Sequence, residues 1–382
     1  MAQGAQRRSQ FQSPRVRPVK AQPGRAPAGQ ARPHDSQGLK NGQFVEIVFL
    51  PGLDDVVLAE VADLSARGWR PVPGRDDAMA GEVRGSLGRL RTLRTVSSAF
   101  LVLTFPVPRP KSLLSGEFFP QIVDAAREVV RLNRSPRPRA VRLEAAGSDS
   151  AVMQTFSRQL AQACGLREDD EDGDFVVRVR PTPGRDGWDV LFRLTTRPLS
   201  TRGWRVQGHP AAASATIAAA MVDLSGPRPG DRVADLMCGS GTILIERLLA
   251  APAAYAIGVD VDPEAVDIAR ANLKAAGQNA KLVAEDLRAD GWLSEPPYDA
   301  LFADPPWGDD RADHAVAESV HSDLLERAYL ASARRARLVV LAHEIRIMDR
   351  CLQRAQHQWR LRSQTRVFHK GHHPRIYVLD RI

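Results

Sequence analysis

The chain has 382 residues, 43% hydrophobic and 26% charged, which leaves room for two or three domains with a sizeable core and is ordinary for a globular protein. Its formal charge of +8 is uneven: eight basic residues stand against Asp35 alone in residues 1–43, so the rest is nearly neutral and its charge is only a weak pointer to nucleic acid. Three dispersed cysteines (Cys164, Cys238, Cys351) exclude a disulfide framework and a zinc spacing and suit a reducing cytosol, so a cytoplasmic location is expected.

The N-terminus lacks the apolar core of a secretory signal. The most apolar stretch, 211–224, is broken by Ser214, Thr216 and Asp223 and is too short and polar to span a membrane. Residues 1–42, rich in Gln, Arg, Pro, Gly and Ala, have little to bury and read as a disordered basic tail, with a non-specific RNA-binding arm as the alternative.

Order begins with a strand at 43–50, the turn Pro51-Gly52-Leu53-Asp54-Asp55 and a helix over 56–67, whose apolar face is Val57, Leu58, Val61 and Leu64. Short strands at 69–72 and 79–83, a short helix at 87–93 and a strand at 98–105 complete a βαβ-type unit, 43–105. A second unit, 106–200, opens with an amphipathic helix over 118–132 carrying Phe119, Ile122, Val123, Ala126, Val129 and Val130 on one side. The basic run Arg134-Ser135-Pro136-Arg137-Pro138-Arg139, a strand at 140–144 and a helix at 150–164 follow. The acidic loop 168–174 lacks the alternation and closing Glu of a calcium loop and reads as solvated. Strands 175–180 and 188–195 form a hairpin. This order, with basic residues near its ends, suits an RNA-binding α/β domain.

The last unit, 205–382, alternates strand and helix. A small-residue helix spans 210–220. Strand 233–236 runs into Met237-Cys238-Gly239-Ser240-Gly241-Thr242 and a helix over 242–249. Strand 255–259 ends at Asp260, and a helix with Pro263 in its first turn runs to 276. Strand 280–284 ends at Glu285-Asp286, and strand 298–303 at Asp304-Pro305-Pro306-Trp307-Gly308. A helix over 323–335, a strand at 338–342 and a helix over 345–356 come next. Strands 361–368 and 375–379 are joined by a link too short for a parallel crossover, so the sheet is expected to end in an antiparallel hairpin.

Four consecutive strands thus end at Asp235, Asp260, Asp286 and Asp304. Open α/β sheets bind ligands beyond the carboxyl ends of their strands, and four acids on one edge each cost desolvation unless they are used. Gly239-Ser240-Gly241 lets a ligand approach the backbone. Leu244 stands where a dinucleotide fingerprint needs its third glycine, and no Lys-Ser or Lys-Thr completes a phosphate loop. Asp260, twenty-one residues beyond Gly239, is placed to bond ribose hydroxyls. A ligand with ribose and adenine but no phosphate chain fits best, which points to S-adenosylmethionine. At the fourth strand end, two prolines fix φ and remove two donors. The Asp304 carboxylate, the Pro305 carbonyl and the Trp307 ring are then held on a stiff turn suited to gripping a planar base by its exocyclic amine. Cys238 reads as a small packing residue. His369, His372 and His373 lie too close together on one turn to make a metal site, and no metal is expected.

Asp235-Leu236-Met237-Cys238-Gly239-Ser240-Gly241-Thr242-Ile243 is very similar to the first motif of class I methyltransferases that modify guanine N2 in RNA. Asp304-Pro305-Pro306-Trp307 matches the Asn/Asp/Ser-Pro-Pro-aromatic pattern of amino-methyltransferases, with Trp where Tyr, Phe or His is usual. Phe49-Leu50-Pro51-Gly52-Leu53 and Leu199-Ser200-Thr201-Arg202-Gly203-Trp204-Arg205 look like landmarks of the THUMP-containing, TrmN-like tRNA m2G methyltransferases. Over 43–382 the resemblance implies a ferredoxin-like domain (43–105), a THUMP domain (106–200) and a Rossmann-like methyltransferase domain (205–382).

It further implies a cofactor set of Asp235, Cys238, Gly239, Ser240, Gly241, Thr242, Asp260, Val261, Asp286 and Leu287, and a catalytic set of Asp304, Pro305, Pro306 and Trp307. The implied partner is tRNA, engaged at its acceptor stem and CCA end by a monomer that methylates guanosine 6, with guanosine 10 as runner-up. Ribosomal-RNA guanine methylation, DNA adenine-N6 methylation and a non-catalytic RNA-maturation role are the alternatives.

Overall fold

The computed structural model describes residues 42–65, 67–209, 212–294, 297–306 and 314–382. Two sheets organise them. The first has eight strands: β1 (Gln43–Phe49), β2 (Arg70–Pro71), β3 (Ala78–Val83), β4 (Val96–Phe105), β5 (Ala140–Ala145), β6 (Arg167–Glu168), β7 (Phe175–Pro181) and β8 (Trp188–Arg193). Their order is β2-β3-β1-β4-β8-β7-β5-β6. Strands from 43–105 and from 140–193 therefore share one sheet. They are joined by the antiparallel β4–β8 pair, Phe100 against Arg193 through Phe105 against Trp188.

Helices α1 (Asp54–Val61), α2 (Phe119–Leu132) and α3 (Ala151–Cys164) bury Val57, Ile122, Ala126, Val129, Phe156 and Leu160 in a core shared with the inward residues of β1, β4, β7 and β8. Apolar residues three and four apart make the α2 stripe. Ser150 caps α3 by accepting from Met153 N–H, and Gly165, in the left-handed region at φ 65°, ends it. The strand β6, absent from the sequence reading, pairs parallel with β5 at Ala140 and Val141. Helix α1 stops at Val61, short of the expected residue 67.

The second sheet contains β9 (Arg232–Asp235), β10 (Tyr255–Asp260), β11 (Lys281–Ala284), β12 (Tyr298–Ala303), β13 (Ser332–Ala342), β14 (Trp359–Arg366) and β15 (Arg375–Arg381). Its order is β11-β10-β9-β12-β13-β15-β14. The first five strands are parallel, with the reversal of order beside β9, and β15 joins β13 and β14 antiparallel. The terminal hairpin is as the short link required. Helices α4 (Ala215–Ser225), α5 (Thr242–Ala250), α6 (Pro263–Ala275), α7 (His314–Ala331) and α8 (Ile345–Arg354) complete this half. Asp262 caps α6 by accepting from Glu264 N–H, with Pro263 behind it.

In this half two helices, α4 and α7, are displaced from the sequence reading, and α7 starts at His314 where 323 was expected. The helix expected over 323–335 is α7, which ends at Ala331, and residues 332–335 begin β13. The Ala/Arg-rich run 333–337 favours helix on propensity alone. Strand pairing overrides it: Ser332 lies opposite Tyr298, Arg337 opposite Asp380, and Arg381 caps the Ser332 carbonyl. The small-residue helix is α4, shifted to 215–225.

Charged and backbone contacts fasten the two sheets together. Glu246 on α5, 1% exposed at its side chain, accepts from Arg94 Nε at 2.9 Å and Arg202 Nε at 2.7 Å. Arg94 immediately precedes the Thr95–Val96 start of β4, and its own carbonyl accepts from Arg202 Nη2 at 2.6 Å. Glu60 on α1 accepts from the N–H groups of Arg94 and Thr95. At a second point Phe368 N–H donates to the Pro51 carbonyl at 3.0 Å. There Gly52 has φ 90°, and a Cβ would overlap the Arg366 carbonyl, so glycine is required on both counts.

Candidate active site

The carboxyl ends of β9, β10, β11 and β12 open into a cavity of about 910 Å³, a size that takes a nucleoside-sized ligand together with a second planar group. Met237, Cys238, Gly239, Ser240 and Thr242 line it from the first strand–helix turn, and Asp260, Val261 and Asp262 from the second. Glu285, Asp286 and Leu287 line it from the third, and Asp304, Pro305 and Pro306 from the fourth. The start of α4 (Ser214, Ile217), His343 beyond β13 and the hairpin tip (His369, Lys370, His372) close the far side.

Backbone geometry shapes the first turn. Gly239 and Gly241 both have positive φ, and a Cβ on Gly241 would press on Ala269 of α6 at 3.1 Å. Gly239 N–H donates to Asp260 Oδ2 at 2.7 Å, and Asp262 N–H to Asp260 Oδ1 at 3.0 Å. The carboxylate is thus fixed by two donors. Each oxygen keeps lone-pair capacity for another hydroxyl, which fits the ribose of S-adenosylmethionine.

Asp286 is held differently. Arg288 donates to it from its backbone N–H and from Nε, at 2.8 and 2.9 Å, and this guanidinium lowers the carboxyl below its usual range. Cys238 is buried and its thiol is pushed well up by burial and by Asp235 and Asp260, consistent with packing.

Asp235 and Gly241, both in the expected cofactor set, do not line the cavity. Asp235 is fully buried beneath the turn. Its Oδ2 accepts from Leu244 N–H at 3.1 Å, tying down the first turn of α5, while Oδ1 has no partner among the described residues. Burial, with Asp260 and Asp304 nearby, raises this carboxyl to about 8.

Asp304 is raised to about 7 by burial. Its Oδ1 is likewise without a hydrogen-bond partner among the described residues, and His343 Nε2 stands 3.9 Å away. Pro305 is buried and Pro306 exposed. Trp307, the expected stacking ring, lies outside the described residues.

Several positioning residues escaped the sequence reading. Arg205 Nη2 donates to Thr242 Oγ1 and to the Ala213 carbonyl, each at 2.9 Å. Asn272, fully buried on α6, accepts from Val206 and Gln207 N–H and donates to the Ser240 carbonyl at 3.1 Å. The segment after Trp204 is thereby stitched to the turn at Ser240 and Thr242. Arg205 belongs to the Arg-Gly-Trp-Arg landmark already noted. Asn272 sits mid-helix with no local signal. Of the three hairpin histidines, His369 and His372 line the cavity while His373 packs edge-on against Phe368. Among the described residues no cluster of three or more His, Cys, Asp or Glu side chains is arranged to hold a metal ion, and no helix is long and apolar enough to cross a membrane.

A glycine-turned first strand, an acid at the end of the second, an Asp-Pro-Pro turn after the fourth and a reversed terminal hairpin together define a class I methyltransferase fold. Residues 202–375 match the family model described as UPF0020, RMKL-like, methyltransferase domain. The tRNA (guanine(10)-N2)-dimethyltransferase of Methanothermobacter thermautotrophicus is 33% identical over 138 residues, which is 33% of this chain and 39% of that protein. The chain thus spans well under half of that relative.

Among solved structures, TrmN from Thermus thermophilus aligns over 89% of this chain and 100% of its own, at TM-score 0.66 and 22% identity. SMU.472, described as a methyltransferase and solved with SAH, aligns over 89% and 98% at TM-score 0.60 and 16% identity. These likenesses show that the fold extends through both sheets.

Proposed function

We propose that the protein transfers a methyl group from S-adenosylmethionine to the exocyclic N2 of a guanosine in tRNA. The observation that carries this reading is the place of Asp304. It closes β12 on a proline-stiffened turn, largely enclosed, with one oxygen free of hydrogen bonds among the described residues, in the same cavity as the Gly239–Asp260 turn. The guanine-N2 specificity of the curated relative supports the choice of amine. The fold shared with a structure that holds SAH supports the cosubstrate.

Guanine N2 is a poor nucleophile because its lone pair is delocalised into the ring. Asp304 and the Pro305 carbonyl would accept its two N–H bonds, which fixes the nitrogen and favours the pyramidal form. S-adenosylmethionine supplies an electrophilic methyl on a sulfonium. Asp260 would hold the ribose, and Asp286 and Leu287 would flank the adenine. Trp307 would stack on the purine. Most of the rate then comes from placement, and Asp304 takes the proton released. The target base must leave its stack, at a cost of about a few kcal/mol. Binding of remote RNA by the N-terminal sheet would offset that cost.

The preferred position is guanosine 6 of the acceptor stem, with the CCA end held by the THUMP-like segment. Guanosine 10 is the second reading, favoured by the specificity of the curated relative. The test is methylation of tRNA transcripts by the purified protein with nucleoside mapping of the product. Asp304→Ala is expected to lower kcat about 10²- to 10⁴-fold, with S-adenosylmethionine binding by calorimetry unchanged. An active Asp304→Ala protein would sink the assignment.

A further inference from the structure

Asp304 has to lose the proton it accepts before it can act again, yet it is nine-tenths enclosed, with an exposure of 11%. His343, His369 and His372 line the cavity that it faces. β12 and β13 are parallel neighbours with Ala303 beside Val340, so the residues just beyond their ends, Asp304 and His343, come together. Their side chains stand 3.9 Å apart, one small rotation or one water from a hydrogen bond. β15 pairs antiparallel with β13, Arg375 against Ala342, which brings the tip of the β14–β15 hairpin over His343.

His369 and His372, linked by reciprocal backbone hydrogen bonds of 3.0 and 2.9 Å, both line the cavity there, and both act on His343 electrostatically. His372 is exposed. The other charged groups along this line are Asp235 and Asp260 behind Asp304, Glu344 next to His343 in the chain, and Lys370 beside His369. Burial holds the His343 ring neutral down to about 4, below the value of about 7 to which Asp304 is raised, so the ring takes the proton uphill and relays it onward without keeping it.

We propose that His343 is the positioning residue through which Asp304 is returned to its carboxylate form, passing the proton to solvent past His369 and His372. The inference rests on the amine-methylation reading above. When the amine nitrogen takes the methyl, its N–C bond forms as the S–C bond breaks. The N–H bond then breaks, its electrons stay on nitrogen, and the proton moves to an Asp304 oxygen. Asp304 gives that proton to His343 Nε2. The imidazolium loses its Nδ1 proton toward the hairpin histidines and water. No oxidant, reductant or metal is needed.

The test compares wild type, His343→Ala and His343→Gln in single- and multiple-turnover methylation of a tRNA transcript across pH 6 to 9. Both variants are expected to keep the first turnover and the KM for tRNA, and to slow later turnovers about 10²-fold. Free imidazole added to His343→Ala should restore the rate, and the loss should shrink toward alkaline pH as hydroxide takes over. Steady-state rates within twofold of wild type, or a loss that neither imidazole nor pH alters, would overturn the proposal. A second readout is independent of activity: Asp304→Asn should displace the NMR titration midpoint of the His343 ring, and an unmoved midpoint refutes the coupling. Absence of any wild-type methylation would instead fell the functional reading, while the NMR titration still decides whether the two residues are linked.

Discussion

Two carboxyl groups at adjacent strand ends are pushed in the same direction by burial and serve different ends. Asp304 faces the cavity, and in the proposed reaction its ionised form is the one that accepts an N–H bond. With the carboxyl raised to about 7, acidification protonates it, so kcat should fall about tenfold per pH unit below that value. The fall should be absent from the S-adenosylmethionine affinity measured over the same range.

Asp235 acts on stability instead. Its folded value of about 8 lies above the unfolded value of about 3.9. The stability it contributes is therefore full below about pH 4 and is lost as pH rises through about 8. Asparagine keeps an oxygen for the Leu244 N–H and never ionises. Asp235→Asn should therefore melt higher than wild type at pH 9, with the difference shrinking toward pH 5; a gap that does not change with pH would refute this. Both acids were legible in the sequence because each follows a buried strand. Their division of labour was not, because it depends on whether the side chain points along the cavity or beneath the turn.

Helix α5 shows what an element can hide. Glu246 falls among Ile243, Leu244, Ile245 and Leu248, where a lone acid in an apolar helix would pass for a solvent-facing residue. It is buried because two arginines from outside the catalytic sheet, Arg94 and Arg202, converge on it, and because Arg94 and Arg202 bind each other through the Arg94 carbonyl. Those partners lie 152 and 44 residues away, beyond the reach of any local pattern.

Glu246→Ala leaves Arg202 largely desolvated without its acid and Arg94 with only Asp223 at 3.9 Å, and should cost about 3–5 kcal/mol, read from urea melts. Glu246→Gln should recover part of this. A cost under 1 kcal/mol would mean that the cluster is as dispensable as a surface pair. The α7–β13 boundary failed for a related reason: propensity favours helix through 333–337, and the strands on either side decide otherwise.

For the whole molecule, the alternation of strand and helix after residue 232 and the short final link were enough to read the catalytic sheet and its reversed edge. The N-terminal segments were read as separate units because each has its own hydrophobic pattern. Edge-to-edge pairing of β4 with β8, which makes one eight-stranded sheet of them, has no signature in either segment. That sheet shares a continuous apolar core with α4, α5 and the β13–β15 face of the catalytic sheet. Residues 43–382 should therefore unfold in a single calorimetric transition, with Glu246→Ala the variant able to split it into two. Two transitions in the wild type would refute the continuity.

The seat of Gly52 against Arg366 and the Pro51–Phe368 hydrogen bond make the wall of the candidate cavity partly the property of the N-terminal sheet. A different N-terminal module grafted before residue 202 would bring no loop to that hairpin. Its tip, with His369, Lys370 and His372, would lose its buttress. The two halves can be exchanged between proteins only as a matched pair.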